Sequence, residues 1–116
     1  MINQVALVGR LTHEPELEYT SGQGHAVVNF ALAVDRDYTN KDGERETDFV
    51  PIRVWRRQAE NCAEYLTKGS LVAVTGRIEA QSYEDREGNR RKSFRVIADK
   101  VQFLDNRKER SSEPDF

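Results

Sequence analysis

The sequence predicts an all-β domain with one short helix, and three observations carry that prediction. Apolar residues recur at the two-residue period of a strand in five stretches, 4–12, 26–35, 49–55, 71–83 and 94–103. A single stretch has the helical period instead, with Ala59, Cys62, Ala63 and Leu66 at i, i+3, i+4 and i+7. Polar segments containing Gly22, Gly24, Gly43 and Gly88 separate strands where the chain has to turn back.

With 116 residues and 37% apolar composition the chain has material for one domain, expected over 1–104. Lys and Arg number 18 against 20 Asp and Glu, a formal charge of -2, so any basic surface has to be local. Cys62 is the only cysteine, which excludes an internal disulfide, and its place on the apolar stripe reads as a small core residue. His13 and His25 lie far from it in sequence, so no metal site and no cofactor are expected. The run Val5-Ala6-Leu7-Val8-Gly9 is too short for a signal peptide and nothing approaches a membrane span, so the expected location is cytoplasmic.

Taken in order, the first strand sets Val5, Leu7 and Leu11 on one parity and Ala6, Val8 and Arg10 on the other. Apolar groups on both faces imply cover from the rest of the domain or from a second subunit. Glu14-Pro15-Glu16 interrupts it, and Ser21-Gly22-Gln23-Gly24 is a turn. In the second strand Val28, Phe30, Leu32 and Val34 alternate with Val27, Asn29, Ala31 and Ala33, small groups that fit a tightly curved sheet. A polar hairpin over 36–47 turns at Asp42-Gly43. After the third strand and the helix, Gly69 occupies a helix C-cap position, and Gly76 marks a bulge or bend in the fourth strand. A second polar hairpin, 84–92, leads to the last strand. There the apolar parity switches from Phe94, Val96 and Ala98 to Val101 and Phe103, and a bulge near Asp99-Lys100 accounts for the switch. From Asp105 onward the chain is charged and reads as a disordered tail over 105–116.

The stretch Asp48-Phe49-Val50-Pro51-Ile52-Arg53-Val54-Trp55-Arg56-Arg57 differs from the other strands. One parity, Val50, Ile52 and Val54, is ordinary core. The other sets Phe49, Arg53, Trp55 and Arg57 together with no carboxylate among them, so that flat bases can stack while cations hold phosphates. A buried strand whose arginines snorkel out at its ends accounts for Arg56 and Arg57 but not for Arg53 in the middle. Pro51 lacks an N–H for the ladder and points to an edge or a bulge; a bulge would break the parity between Phe49 and Trp55. Tyr38 stands five residues before Gly43 and Tyr83 five before Gly88, so each polar hairpin begins with an aromatic at its base. Singly, each tyrosine reads as a half-buried packing residue.

Three strands, a helix and two strands match the five-stranded Greek-key OB barrel, which binds nucleic acid or oligosaccharide across its second and third strands. The residues carry a more specific likeness. Asn3-Gln4-Val5-Ala6-Leu7-Val8-Gly9-Arg10-Leu11-Thr12, Glu14-Pro15-Glu16, Tyr19-Thr20, Trp55-Arg56-Arg57-Gln58-Ala59-Glu60, Tyr65-Leu66, Lys68-Gly69-Ser70 and Gly76-Arg77 resemble the bacterial single-stranded DNA-binding protein family over about 1–104. The resemblance implies an OB-fold, a homotetramer, and binding of single-stranded DNA without chemistry during replication, recombination and repair at the nucleoid. It implies base stacking on Tyr38, Phe49, Trp55 and Tyr83 and phosphate contacts from Arg57 and Lys68, with Arg10 keeping the basic residue after the first Val-Gly. Glu79, Gln81 and Pro51 stand where family members often carry cations; Arg53, Arg77, Arg90 and Arg91 are the candidate replacements. A short paralogue dedicated to DNA uptake, a phage or a plasmid is the alternative within the family.

Two other classes compete. No Ser-His-Asp spacing, glycine-rich phosphate loop or ligand cluster supports an enzyme, and Gly22-Gln23-Gly24 lacks the strand-to-helix setting of a phosphate site. An OB-fold RNA-binding or adaptor module would use the same aromatic face, and comparing DNA and RNA strands of equal length separates the two. Family members dock replication and recombination proteins through an acidic tail ending in phenylalanine, and Glu113, Asp115 and Phe116 keep that chemistry. Asp115 separates Pro114 from Phe116, however, and Arg107, Lys108 and Arg110 lie just upstream, so a plain charged terminus is the simpler expectation.

Overall fold

The computed structural model describes residues 1–104; the expected tail over 105–116, with Glu113, Asp115 and Phe116, lies outside the described residues. The chain forms β1 (Val5–Leu11), β2 (Glu16–Tyr19), β3 (Ala26–Thr39), β4 (Arg45–Trp55), α1 (Arg56–Tyr65), β5 (Leu71–Glu84) and β6 (Arg90–Phe103). Strand alternation sends Val28, Phe30 and Leu32 of β3 and Ile52 and Val54 of β4 to one side, where none is more than 3% exposed. They meet Leu11, Val72, Val74, Val96 and the stripe Ala59, Cys62 and Leu66 in one core. Fully burying a side chain such as Leu32 stabilises by about 1.5–3 kcal/mol, and Leu32→Ala would cost about 2–5 kcal/mol through the cavity it leaves.

The hydrogen-bonded strand order is β1-β5-β6-β4-β3-β2, and β1 returns to β3 at Arg10↔Ala33 and Leu11↔Leu32. That return closes β1, β3, β4, β6 and β5 into a five-stranded barrel with one parallel pair, β4 with β6, which is the OB-fold the order of elements predicts. Closure needs Gly9, because a Cβ there would collide with the Ala33 carbonyl oxygen.

Several local expectations hold. Cys62 is fully buried, and burial pushes its thiol up to about 12. The register of β5 against β6 shifts between Thr75↔Lys100 and Gly76↔Ala98, leaving Asp99 as the extra residue. The bend expected at Gly76 and the bulge expected at Asp99-Lys100 are thus one feature.

Others are corrected. A sixth strand, β2, follows Pro15; all its residues are exposed and its ladder to Ala26, Val27, Val28 and Asn29 holds it. Both polar hairpins are mostly strand, with only 40–44 and 85–89 left as loops. Gly69 is not a helix cap, because α1 ends at Tyr65; its N–H donates to the Leu11 carbonyl at 2.8 Å, tying the turn before β5 to the end of β1. Arg57 leaves the strand face, because Arg56 takes φ 62 and turns the chain into α1 within one residue. A left-handed non-glycine residue costs roughly 1–2 kcal/mol, and here it makes Trp55 the last residue of β4.

Candidate nucleic-acid interface

Residues facing away from the core form a continuous outer surface across β3, β4, β6 and β5. On β4 it carries Phe49, Pro51, Arg53 and Trp55, paired with Ala33, Ala31, Asn29 and Val27. The ladder runs without a shift from Val27↔Trp55 to Asp35↔Thr47, so no bulge forms at Pro51 and the parity joining Phe49 to Trp55 is kept. Pro51 is accommodated because β6 pairs with β4 only at Ile52↔Val96 and Arg53↔Ile97, which leaves the edge beside it open. The small partners Ala31 and Ala33 do not cover Phe49, which is 67% exposed.

Trp55 is half-buried against Val27, which is itself buried. The Arg53 guanidinium carbon lies 5.8 Å from the centre of the Trp55 ring, and Arg53 Nε donates to Asn29 Oδ1 at 2.9 Å. Burial, and then the positive charge of Arg95, push the pKa of Arg53 below its ordinary value. A guanidinium short of water and crowded by another guanidinium is stabilised by an incoming anion.

Across β6 and β5 the same face continues through the pairs Arg77↔Ile97, Glu79↔Arg95, Gln81↔Ser93 and Tyr83↔Arg91. Arg95 Nη2 donates to Glu79 Oε1 at 3.0 Å, and Arg77 lies 3.8 Å from the same carboxylate. A groove of about 480 Å³ beside Trp55 is lined by Gln23, His25, Arg56, Arg77 and Ile97. Tyr83 is exposed at the base of its hairpin, and Arg90 is exposed at the Glu84↔Arg90 pair.

Tyr38 lies on the opposite face of its hairpin. Arg36 donates to Tyr38 Oη at 3.3 Å, to Glu46 at 2.6 Å and to Asp48 at 2.9 and 3.1 Å, so these four share the parity that carries Val50 and Ile52 further along. The Arg36 guanidinium holds the Asp48 carboxyl below the usual carboxylate range. The structure therefore brings Phe49, Arg53, Trp55, Arg77 and Tyr83 onto one surface, while Tyr38, 63% exposed, projects from the other side of the β3–β4 hairpin.

The two hairpin tips share one design. Asn40 Oδ1 accepts the N–H groups of Asp42 and Glu44, and Asp85 Oδ1 accepts those of Glu87 and Asn89, all at 2.9 Å. Gly43 and Gly88 follow at φ 79 and 82, where a side chain would be strained. Asp85 Oδ2 also accepts from Arg91 Nε at 2.9 Å, and Arg91 together with the loop N–H groups lowers the Asp85 pKa.

The remaining cations lie apart. Arg10 is on the outer face of β1, one ladder step from Ala33 and two from Phe49, and its Nη1 donates to the Gly69 carbonyl at 2.9 Å. That bond sets it beside exposed Lys68, whose N–H, with the Thr67 hydroxyl, bonds Glu14 Oε1. Arg57 is exposed on the first turn of α1. Sequence reasoning passed over Arg95, Asn29 and His25, and over Glu16 and Glu18, which border the face from β2 at the pairs Glu16↔Asn29 and Glu18↔Val27. The parity switch at Asp99 was the available signal for Arg95. For the β2 carboxylates the signal is the short alternation Glu16-Leu17-Glu18-Tyr19, which sets both on one face.

Comparison with known proteins identifies a family. The family model described as "Single-strand binding protein family" matches residues 2–104. Three similar relatives are the single-stranded DNA-binding protein of Halalkalibacterium halodurans, 56% identical over 107 residues, that of Clostridium tetani, 51% over 104, and single-stranded DNA-binding protein A of Bacillus subtilis, 53% over 105. These matches cover 92%, 90% and 90% of this chain, and the chain spans 63%, 71% and 60% of the relatives' lengths. On fold, surface and similarity together, the chain belongs to the single-strand binding protein family.

Proposed function

We propose that the chain binds single-stranded DNA without sequence preference and without chemistry, serving replication, recombination and repair in the bacterial cytoplasm. The outer row of β4 carries the reading. Phe49 and Trp55 stand on one face of an unbroken ladder, and Arg53 stands between them with a neutral amide, Asn29, as its hydrogen-bond partner. Every base has a face to stack, so such a row holds any sequence, at roughly 1–3 kcal/mol per stacked base. Tyr83 extends it along β5, Tyr38 takes a base on the far side of the β3–β4 hairpin, and Arg10, Arg53, Arg57, Lys68, Arg77, Arg90 and Arg91 meet phosphates. Titrating Trp55 emission with oligothymidylates of several lengths, and with duplex, at two salt concentrations tests it. Single strands are expected to quench the emission and duplex to leave it unchanged, because paired bases cannot reach the rings. Unchanged emission with saturating single strands would refute the proposal.

We propose also that the chain assembles as a homotetramer. β1 pairs with β3 only at Arg10 and Leu11, which leaves its edge open from Val5 to Val8, and Val8, 54% exposed, lies with Ala6 on the uncovered outer face. Open edges and apolar faces of this kind are normally covered by another chain. A light-scattering mass of one chain at micromolar concentration would refute it.

A further inference from the structure

The row Phe49-Pro51-Arg53-Trp55 has a gap in its charge. Phe49 and Trp55 are six residues apart, roughly 20 Å at about 3.3 Å per residue, and a strand stacked on both has to pass phosphates over the interval. Arg53 covers one end of it. Pro51, at the other end, carries no charge and no donor.

The parallel register fills the gap from the neighbouring strand. Arg53 is level with Ile97, so two residues back along both strands Pro51 is level with Arg95. Arg95 and Pro51 line one groove of about 260 Å³ together with Asn29, Ala31, His13 and Glu16. The Arg95 side chain is 22% exposed and donates to Glu79 Oε1 at 3.0 Å. Gln81, its amide oxygen turned toward Arg95 as the surrounding donors require, accepts from Nε at 2.7 Å. Glu79 is shared, because Arg77 also lies 3.8 Å from it. One carboxylate therefore serves two guanidinium groups, and a third, Arg53, feels Arg95 as a repelling charge. Glu18 and Glu79 attract Arg53 in turn and Glu16 lines the groove, but among the described residues Glu79 is the carboxylate that bonds Arg95 directly.

We propose that Arg95 is a phosphate contact for the bound strand, held in position by Gln81 and Glu79, and that Glu79 competes with the phosphate for it. The inference rests on the single-strand binding reading above and deepens it by placing the strand's backbone over β6 between Phe49 and Trp55. Phosphate arriving at Arg95 and Arg53 relieves their mutual repulsion and takes over hydrogen bonds that Glu79 supplies in the free protein. Removing Glu79 should strengthen binding.

The test uses a fluorescein-labelled oligothymidylate and anisotropy over a range of salt, on the full chain. Glu79→Gln is expected to bind several-fold tighter than the parent at low salt. Adding Arg95→Gln in that background, where no carboxylate is left unpaired, is expected to weaken binding and to reduce the salt slope by about 0.7, one phosphate contact on a single strand. Arg95→Lys in the same background should restore the slope, which a purely structural brace between β5 and β6 would not do. Equal slopes for Glu79→Gln with and without Arg95→Gln would overturn the inference, as would weaker binding by Glu79→Gln alone. Trp55 quenching separates the two readings. If the parent quenches and the slopes are equal, only the role of Arg95 falls; if the parent does not quench, the binding reading itself falls.

Discussion

Truncating Trp55 to alanine should weaken binding of a labelled oligothymidylate without changing its salt dependence. The ring is half-buried, its exposed side available to one base, so the loss is one stacking contact, roughly 1–3 kcal/mol. At about 1.4 kcal/mol per factor of ten, that is between about 5-fold and 150-fold in Kd. The salt slope should stay where it is, because Arg53 is anchored on Asn29 at 2.9 Å and keeps its place when the ring it lies over is gone. Arg53→Gln should do the reverse, reducing the slope by about 0.7 while leaving stacking intact. Trp55 is the only tryptophan, so its variant has to be read by anisotropy rather than by intrinsic emission. The ring also covers Val27, which is 5% exposed; Trp55→Phe, which retains an aromatic cover, controls for lost stability, checked by thermal melting. If Trp55→Ala binds within twofold of the parent, the stacking surface is misplaced.

Other outcomes follow from the same geometry. Gly76→Ala would drive a Cβ into the Ile97 carbonyl oxygen; separating β5 from β6 there should cost about 1–3 kcal/mol and lower Tm by roughly 5–15 °C, and an unchanged melting curve would refute the close approach. The Cys62 thiol, raised by burial from 9.0 to about 12, should resist a thiol reagent at pH 8 until the chain unfolds. Its contribution to stability is present below pH 9 and is lost as pH rises toward 12, which alkaline melts of the parent and Cys62→Ala would compare. Asp85 has its pKa lowered from 3.8, so its support of the 85–89 loop is present above that value and fades as pH falls below it; protection of the Glu87 and Asn89 amides, taken relative to their intrinsic exchange rates, should be lost only in acid.

The fold was largely legible because its determinants are periodic. Val28, Phe30 and Leu32, then Ile52 and Val54, alternate as the ladder requires, and Ala59, Cys62 and Leu66 mark α1, which packs against the core. β2 was not legible. Glu-Leu-Glu-Tyr does alternate polar and apolar residues, but it is only four residues long, exposed, and preceded by Pro15, too short a run to stand as a strand without Ala26–Asn29 beside it. The site was legible along β4, where parity survived Pro51, and less so where backbone irregularity intervenes. Arg57 was lost from the face because the left-handed turn at Arg56 cannot be read from residue type. Tyr38 lies past a register shift between Asp35 and Thr39, and its face is set by Arg36, Glu46 and Asp48 rather than by aromatic spacing.

The outward face of β6 depends on a single residue. Counting back by twos from Val101 and Phe103, which pack against the core, would send 99, 97 and 95 inward and Val96 out to solvent. Asp99, unpaired between Lys100 and Ala98, resets the count, so Val96 enters the core and Ile97 and Arg95 face outward. The backbone groups freed by the bulge do not go unsatisfied. Gln58 Nε2 donates to the Asp99 carbonyl at 2.8 Å, and Gln58 Oε1 accepts the Val101 N–H at 3.0 Å. Gln58 is held by α1, which starts directly after Trp55, so the element that ends the stacking strand also braces the bulge that turns Arg95 toward it. A slip of one residue would bury the Arg95 charge in the barrel and expose Val96 among the cations, an exchange costly in both directions. Barrel packing and the basic surface are therefore set by the same register, and a change at Asp99, Gly76 or Gln58 would disturb both together.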